Sequence, residues 1–460
     1  MSKIKFEVSR GLNDKFLKLI LDDTYSLLSE VGLEIKLPKL LKELAGHNGI
    51  TVKGDRVCFT PELVEKARMQ VPLEDTNYAT HKQGEDDFKM CTPFSPFEVI
   101  DFETGEKRPA GEADVIEGAR VYDSFGVSGP VHVHIENMDQ KIAQLHISRL
   151  CCENSRAIGN WAPAFSYEQA AAIRDMYLAA GREGSLVAFQ LTHSPLRLDS
   201  YSLDTIMRAR DESENGTRGL TAGGGAMPLP GISSPIHYRS AAAQGLAECL
   251  GAWVTLKLID PSIKPYASFM PWVPDMSTGK WTFHLPESIT YDFLNRQVSR
   301  ELLGVSIYHR CGNLSQMCLQ ALQGARIFEC GGYRNECFSP AHIPIDQEKI
   351  NFVKRFATGM EFPEEEGLTL RIVQETLPEA SFLVHESTIA FSELFWTPAV
   401  FKDPPPARLA EALHEEEDRL LPQAREIVRN RLASNEFELD RNTRSDVERV
   451  YKAGCRAILT

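Results

Sequence analysis

The chain has 460 residues, 43% apolar and 25% charged, with 31 Gly and 26 Pro. Such proportions belong to a globular protein and exclude a disordered, collagen-like or coiled-coil chain. The 50 Lys and Arg against 64 Asp and Glu give a net charge of −14, and no window is basic enough to follow phosphates, so neither nucleic acid nor an anionic membrane is expected as a partner.

The N-terminal stretch MSKIKFEVSRGLNDKFLKLI has no apolar core followed by a small-residue cleavage site. No segment approaches the ~20 apolar residues that cross a bilayer. The 10 Cys are too dilute for a disulfide framework. A cytoplasmic protein with reduced thiols is the expectation.

The first ninety residues or so read as helical. Leu12, Phe16, Ile20, Leu27 and Val31 keep one apolar face and Gly32 supplies a stop. A further helix starts at Thr60-Pro61, with Thr as cap and Pro in the first turn. From about residue 120, short apolar runs alternate with longer helical patterns. The runs begin at Gly126, Arg156, Ser185, Arg218, Lys264, Leu302 and Ala325, and ASFLVHEST from Ala380 is an eighth candidate. Among the intervening helices, Ser166-Tyr-Glu-Gln169 has the spacing of a capping box and its helix ends at Gly181.

Eight strand–helix repeats predict an α/β fold of the (β/α)8 TIM-barrel kind. Residues 1–95 are expected as an N-terminal helical extension and 96–405 as the barrel. Residues 406–460 are expected as C-terminal helices packed on it, with Pro422 interrupting a charged amphipathic helix. The competing open doubly wound sheet calls for a phosphate-binding fingerprint, and Gly223-Gly224-Gly225 lacks the G-x-G-x-x-G spacing. These glycines read as a loop, either allowing close backbone approach at the barrel mouth or forming a flexible turn.

Barrel chemistry gathers where the strands end. The residues there are His134 and Glu136, Asn160 and Trp161, Gln190 and His193, Phe269 and Trp272. Tyr308 and His309 follow, then Phe328, Glu329 and Tyr333, and after the eighth run His385, Glu393, Phe395 and Trp396. Many aromatic rings and few carboxylates suit a cation held by π-faces better than an acid/base pair. Three metal readings stand beside this one. His132 and His134 end a strand as in barrel metal hydrolases, but PYASFMPW offers no later His; His309, Cys311 and Cys330 could hold zinc; Cys151-Cys152 reads as helix packing.

Several stretches together resemble the trimethylamine:corrinoid methyltransferase superfamily. They are Ala226-Met-Pro-Leu-Pro-Gly-Ile-Ser-Ser-Pro235 followed by Ala247-Glu248; Ala321-Leu-Gln-Gly324-Ala-Arg-Ile; Phe338-Ser with Ile345-Asp346; and Phe382-Leu383, His385, Thr388, Glu393 and Trp396-Thr-Pro398. They keep order and approximate spacing over about residues 10 to 430. The chain contains only standard residues, so it is similar to the branch without pyrrolysine, whose members demethylate quaternary amines such as glycine betaine. It departs from that branch after the sixth run, where His309-Arg-Cys-Gly-Asn-Leu-Ser-Gln316 stands in place of an Asp-Ser-Lys stretch.

The resemblance implies transfer of a methyl group from a quaternary amine or a tertiary methylamine to the Co(I) centre of a cognate corrinoid protein. It implies no tightly bound cofactor in the chain itself. On that basis Trp161, Trp272, Tyr308, Phe328, Tyr333 and Trp396 are candidates for a cage around the cation, and Phe94 and Phe97, in the loop before the barrel, are candidates for a lid over the substrate. Donors for a substrate carboxylate are available in His193, His309, Arg310, Arg334 and His342. Candidate catalytic residues are His309, Glu329 and His385, and the backbone of Gly223, Gly224 and Gly225 is the candidate cofactor contact. A homo-oligomer is expected. The alternatives are a zinc-dependent barrel methyltransferase using His309, Cys311 and Cys330, and a non-catalytic barrel that binds a quaternary amine.

Overall fold

The computed structural model describes residues 2–4, 10–70, 87–93, 96–135, 137–279, 282, 285–305, 309–310, 312–333, 337–362, 364–365, 368–377, 381–402, 406–414 and 417–460. Helix α1 (Asp14–Ser26) is capped by Asn13, whose Oδ1 accepts from the Phe16 N–H at 2.9 Å. One π turn prolongs it to Val31, and Gly32 ends it at φ 69°. The stretch that follows is not helical throughout. Ile50–Lys53 and Arg56–Phe59 form an antiparallel hairpin turning at Gly54, because ITVKGDRVCF alternates with period two around a glycine turn. The helix Pro61–Gln70 then starts as expected, with Thr60 Oγ1 accepting from the Leu63 N–H at 3.4 Å.

The centre of the molecule is parallel. Its strands are β1 (Lys89–Cys91), β2 (Trp161–Pro163), β3 (Leu186–Gln190), β4 (Leu220–Ala226), β5 (Lys264–Phe269), β6 (His309–Arg310) and β7 (Ile327–Glu329). Strands β2, β3, β4 and β5 pair in that order, and so do β6, β7 and β1. Single bridges connect the two groups, from Cys91 in β1 to Ser128 and from Gly129 to Ile158 just ahead of β2. With residues 128–129 included, eight parallel segments lie side by side, from β6 through β7 and β1 to β5.

A helix follows each segment and returns the chain, as parallel pairing requires. In chain order these are α2 (Glu112–Ser124), α3 (Gln140–Asn154), α4 (Tyr167–Ala179), α5 (Ser200–Glu212), α6 (Tyr238–Ile259), α7 (Pro286–Val298), α8 (Leu314–Leu322) and α9 (Ile343–Thr358). The capping residue read at Ser166 is in place: its Oγ accepts from the Gln169 N–H at 3.0 Å, and α4 is followed by Gly181 at φ 69°.

The sequence located this alternation but misplaced one of its members. ASFLVHEST makes no strand: residues 382–385 turn, and His385 caps the short helix Glu386–Ala390, its Nδ1 accepting from the Ser387 N–H at 3.1 Å. The eighth parallel segment is β1, whose three residues sit between β7 and Ser128. The triad Gly223-Gly224-Gly225 is also not a loop. It lies inside β4, hydrogen-bonded to strands on both sides.

Around this centre, Leu33–Glu34 joins the hairpin to Arg197–Leu198, tying the N-terminal region to the turn that follows β3. At the other end, Pro422 lies in the first turn of the helix Leu421–Ala433, so it opens that helix instead of interrupting one. Helix α10 (Arg441–Leu459) packs on α3 and α4 and is pinned by Arg149 Nη1–Glu448 Oε2 at 2.7 Å and His146 Nδ1–Tyr451 Oη at 2.9 Å. Among the described residues no helix is long and apolar enough to cross a membrane.

Candidate functional site

Side chains alternate across a strand, and the register fixes which of them share a face. Gln190, Gly223 and Tyr266 are direct neighbours across β3, β4 and β5, and Trp161 in β2 is the neighbour of Leu186. Trp161, Gln190, Gly223, Gly225 and Tyr266 therefore point to one side. The other side packs on α6: a Cβ on Gly224 would lie 2.9 Å from Cys249 Cα.

On the side away from the helices, the Trp161 and Tyr266 rings meet edge to face with centroids 5.9 Å apart. They stand on the first and fourth strands of the sheet, which three spacings would separate by about 14 Å if it were flat. The sheet is thus strongly concave here, and its hollow is floored by residues with little or no side chain. A Cβ on Gly223 would overlap the Tyr266 carbonyl, and one on Gly225 would lie 2.6 Å from Gln190 Oε1. Only glycine fits at Gly223, where the obstacle is backbone, and a side chain at Gly225 would displace the Gln190 amide.

The polar groups of the hollow are held in one arrangement. Gln190 Nε2 donates to Thr192 Oγ1 at 3.0 Å and to the Gly225 carbonyl at 3.1 Å, which fixes the amide so that Oε1 accepts from Tyr266 Oη at 3.1 Å. Tyr266 Oη also lies 3.1 Å from the Phe189 carbonyl. Burial pushes the Tyr266 phenol well above its ordinary pKa, so it stays protonated. Gln190 is exposed to the hollow while Trp161 and Tyr266 are half-buried.

Behind the hollow, α6 carries the fully buried Glu248. Its carboxylate accepts from Leu196 N at 2.9 Å, Ser194 Oγ at 2.7 Å and Gln244 Nε2 at 3.0 Å. Burial raises its pKa and those hydrogen bonds oppose the rise. Glu248 thereby fixes the turn after β3, the turn that begins at Thr192 beside Gln190.

Of the residues singled out from sequence, Trp161 lies in the hollow and Gly223 and Gly225 floor it. Glu329 is buried at the end of β7 and, by alternation, faces away from the helices as Gln190 does. Trp272 follows β5, half-buried, its backbone N–H donating to the Pro228 carbonyl at 3.3 Å. His193 is exposed, with Nε2 4.0 Å from Asp199 Oδ1. Phe97 is exposed too, and its ring lies 5.2 Å from that of His134.

Others are elsewhere. Phe328, one residue before Glu329, points the opposite way and stacks on Phe88 at 6.2 Å inside an apolar cluster with Met317 and Phe401. Trp396 packs edge-on against Phe352 at 5.3 Å, beside the same cluster. His342 is buried with Nδ1 2.7 Å from Ser339 Oγ, and burial lowers its pKa to about 4. His385 is occupied with its helix cap and lies 3.1 Å from Glu375 Oε2. Gly224 faces α6. The backbones of His309 and Tyr333 lie in β6 and in the strand Gly332–Tyr333. Phe94, Tyr308, Cys311 and Arg334 lie outside the described residues. Cys330, offered as a zinc ligand, is a buried thiol 3.4 Å from the Cys91 carbonyl, with its pKa raised by burial. Among the described residues no group of three or more His, Cys, Asp or Glu could hold a metal ion.

Gln190 and Tyr266 were not chosen as site residues from sequence. Gln190 was visible as a strand end; Tyr266 gave no signal, because it reads as an ordinary strand aromatic and its partners are set by register.

Residues 4–324 match the family model of trimethylamine methyltransferase (MTTB). The chain belongs to that family. The matched span contains Trp161, Gln190, Gly223, Gly225, Tyr266 and Glu248, and it ends just before β7. As an MTTB-family protein the chain is a methyltransferase of the methylamine:corrinoid type. Solved structures similar to it include the hydroxylamine complex of MtmB, at 12% identity and TM-score 0.40, covering 94% of this chain and 96% of that one. The monomethylamine methyltransferase MtmB of Methanosarcina barkeri is 13% identical at TM-score 0.39, covering 94% and 97%. HydG, a maturase of the [FeFe]-hydrogenase, is 9% identical at TM-score 0.35, covering 96% and 93%. No curated protein sequence matches the chain.

Proposed function

We propose that this MTTB-family protein transfers a methyl group from a quaternary amine of the betaine kind, or from a tertiary methylamine, to the Co(I) centre of a separate corrinoid protein. The observation that carries the reading is the hollow formed by Trp161, Gln190 and Tyr266 over a glycine floor. Its walls are a ring face and neutral dipoles. Each aromatic face gives a desolvated cation roughly 0.5–2 kcal/mol.

The eight parallel segments and their helices support a (β/α)8 barrel, closed between β5 and β6, with β1 as its first strand. N-terminal and C-terminal helical regions flank it. Gln190 ends β3 and Gly225 lies next to the end of β4, which supports an opening toward the C-terminal face of the strands, where barrel enzymes place their chemistry, while Trp161 opens β2 and Tyr266 lies within β5.

A quaternary nitrogen leaves as a neutral tertiary amine and needs no acid, and a tertiary methylamine reacts as its protonated ammonium, leaving as the neutral secondary amine that keeps the proton. The partner's corrinoid, in its Co(I) state, supplies the nucleophile. This chain's task is to hold the cation, direct one N–CH3 bond outward and keep competing acceptors of the methyl group away. Trp161 offers its face to the cation. Gln190 Oε1 and Tyr266 Oη turn oxygen dipoles toward it, and because the phenol is kept protonated it does not compete for the methyl group. Glu329 ends β7 as a further carboxyl group.

The test is to mix the protein with reduced cobalamin and a panel of betaines and methylamines and to follow Co(I) absorbance. At least one amine is expected to discharge the Co(I) signal. Trp161→Ala should raise the amine's apparent Kd about fivefold or more, equivalent to about 1 kcal/mol. Binding of an amine with no loss of Co(I) across the whole panel would instead favour a binding barrel without catalysis.

A further inference from the structure

Helix α6 carries a carboxylate directly behind the glycine floor. Glu248 is fully buried, and the donors that reach it, Leu196 N, Ser194 Oγ and Gln244 Nε2, are all neutral. Among the described residues no Lys or Arg forms an ion pair with it. Burying a charge without a cationic partner costs stability, and a neutral residue of the same size would pack there without that cost. The same turn carries a second unfavourable feature. Leu196, whose N–H meets the carboxylate, is held at φ 51°, in the left-handed region. Backbone strain and a buried charge at one turn mark a place kept for function.

Gly224 brings this helix close to the hollow. A Cβ there would lie 2.9 Å from Cys249 Cα and 3.0 Å from Thr192 Cγ2. At residues 223–225, therefore, one strand without side chains separates the hollow from the helix that bears Glu248. Ser194, which donates to the carboxylate, is two residues from Thr192 and at most about 7.6 Å from it along the chain. A cation over Gly223 and Gly225 thus stands roughly 12 Å from the carboxylate. Gly223, Gly224, Thr192 and Cys249 between them are buried, so solvent screens the charge little.

Trp161, Gln190 and Tyr266 bring no net charge to the hollow. On the amine-binding reading proposed above, we infer that Glu248 is the counter-charge of the bound amine cation, acting through the glycine floor without touching the amine. Over roughly 12 Å, at an effective dielectric constant of about 20, the attraction amounts to about tenfold in a binding constant.

The probes are choline and neohexyl alcohol, its neutral analogue with carbon in place of nitrogen, each titrated by calorimetry. Glu248→Gln keeps the hydrogen bonds of the carboxylate, with Ser194 Oγ turned from donor to acceptor, and Glu248→Met removes them; both remove the charge. In each variant the ratio of choline affinity to alcohol affinity should fall about tenfold. Glu248→Gln should melt no lower than the parent, because a buried charge is gone and its contacts remain. Ser194→Ala keeps the charge and should leave the ratio as it is.

An unchanged ratio in the folded Glu248 variants overturns the inference. So does an equal loss for both probes, which makes Glu248 a clamp on the turn, or a ratio that falls with Glu329→Gln and not with Glu248→Gln. Failure of both Glu248 variants to fold overturns it as well, since the carboxylate is then a structural requirement. If the unaltered protein binds no choline the inference falls, and methyl transfer is judged by the Co(I) assay alone. If choline binding depends on Glu248 as expected and no amine discharges Co(I), the proposed transfer falls and the counter-charge stands.

Discussion

At the scale of single residues, burial decides protonation. His132 is fully buried between the Tyr122 and Phe338 rings, at centroid distances of 5.5 and 5.1 Å, and desolvation lowers its pKa to about 4. An unfolded histidine titrates near 6.5, so as pH falls the unfolded chain takes up the proton first. The stability tied to a neutral His132 is therefore complete above about pH 6.5 and is lost as pH drops toward 4. At pH 5 this one residue should have cost about 2 kcal/mol, and His134 and His342, also lowered to about 4, act in the same direction. Urea unfolding at pH 7 and pH 5 measures the loss, and His132→Asn should reduce the difference between the two midpoints. An unchanged difference would place the acid sensitivity elsewhere. The same scale shows why candidate residues were only partly legible in the sequence. Trp161 drew attention as the end of an apolar run, yet it opens β2, and it reaches the hollow through its register with Leu186 and the curvature of the sheet. Phe328 and Glu329 ended a run together, and only the alternation of β7 separates the core residue from the one facing away from the helices.

At the scale of elements, glycine in β4 serves two purposes that residue type alone does not distinguish. Gly224 lets α6 approach, while Gly223 and Gly225 let Tyr266 and Gln190 meet across the strand between them. Gly223→Ala should destabilise the protein by about 1–3 kcal/mol or more, because the added methyl meets backbone that cannot rotate aside. It should also disturb amine binding, whereas Gly54→Ala in the hairpin turn, where a Cβ would meet nothing within 4 Å, should leave binding untouched. Thermal unfolding and a cation titration on both variants separate these outcomes. Strands β2 to β5 could be read from sequence because each has a run of apolar residues bounded by helix signals. Strand β1 could not: Lys-Met-Cys has no pattern of its own and is a strand only because β7 and Ser128 flank it. ASFLVHEST had the composition of a strand and lacked a neighbour.

At the scale of the whole molecule, the chain closes on itself through its last helix. Gly454 of α10 faces α4, where a Cβ would lie 2.6 Å from Ala172 Cβ. Gly454→Val should therefore lift α10 from α3 and α4 and lower the melting temperature, at a cost of about 1–3 kcal/mol. Amine binding at the hollow should persist in the folded fraction, since Trp161, Gln190 and Tyr266 are held by one another and by the strands around them. Loss of binding at a temperature where the variant is still folded would show that the two regions are coupled. Composition was enough to read a globular chain, and the strand–helix count was enough to read a mixed α/β protein with parallel pairing. The association of N-terminal strand Leu33–Glu34 with the turn after β3 was invisible, because it joins residues more than 150 positions apart by backbone bonds alone.

The glycine floor also sets the direction in which this pocket can evolve. Glycine is already the smallest residue, so any substitution at Gly223 or Gly225 makes the hollow shallower and none makes it deeper. Under the proposed function, room for a bulkier amine would have to come from trimming Trp161, Gln190 or Tyr266, each of which also belongs to the proposed recognition. Selection can therefore narrow the range of accepted amines through the floor, but it can widen that range only by weakening the grip on all of them.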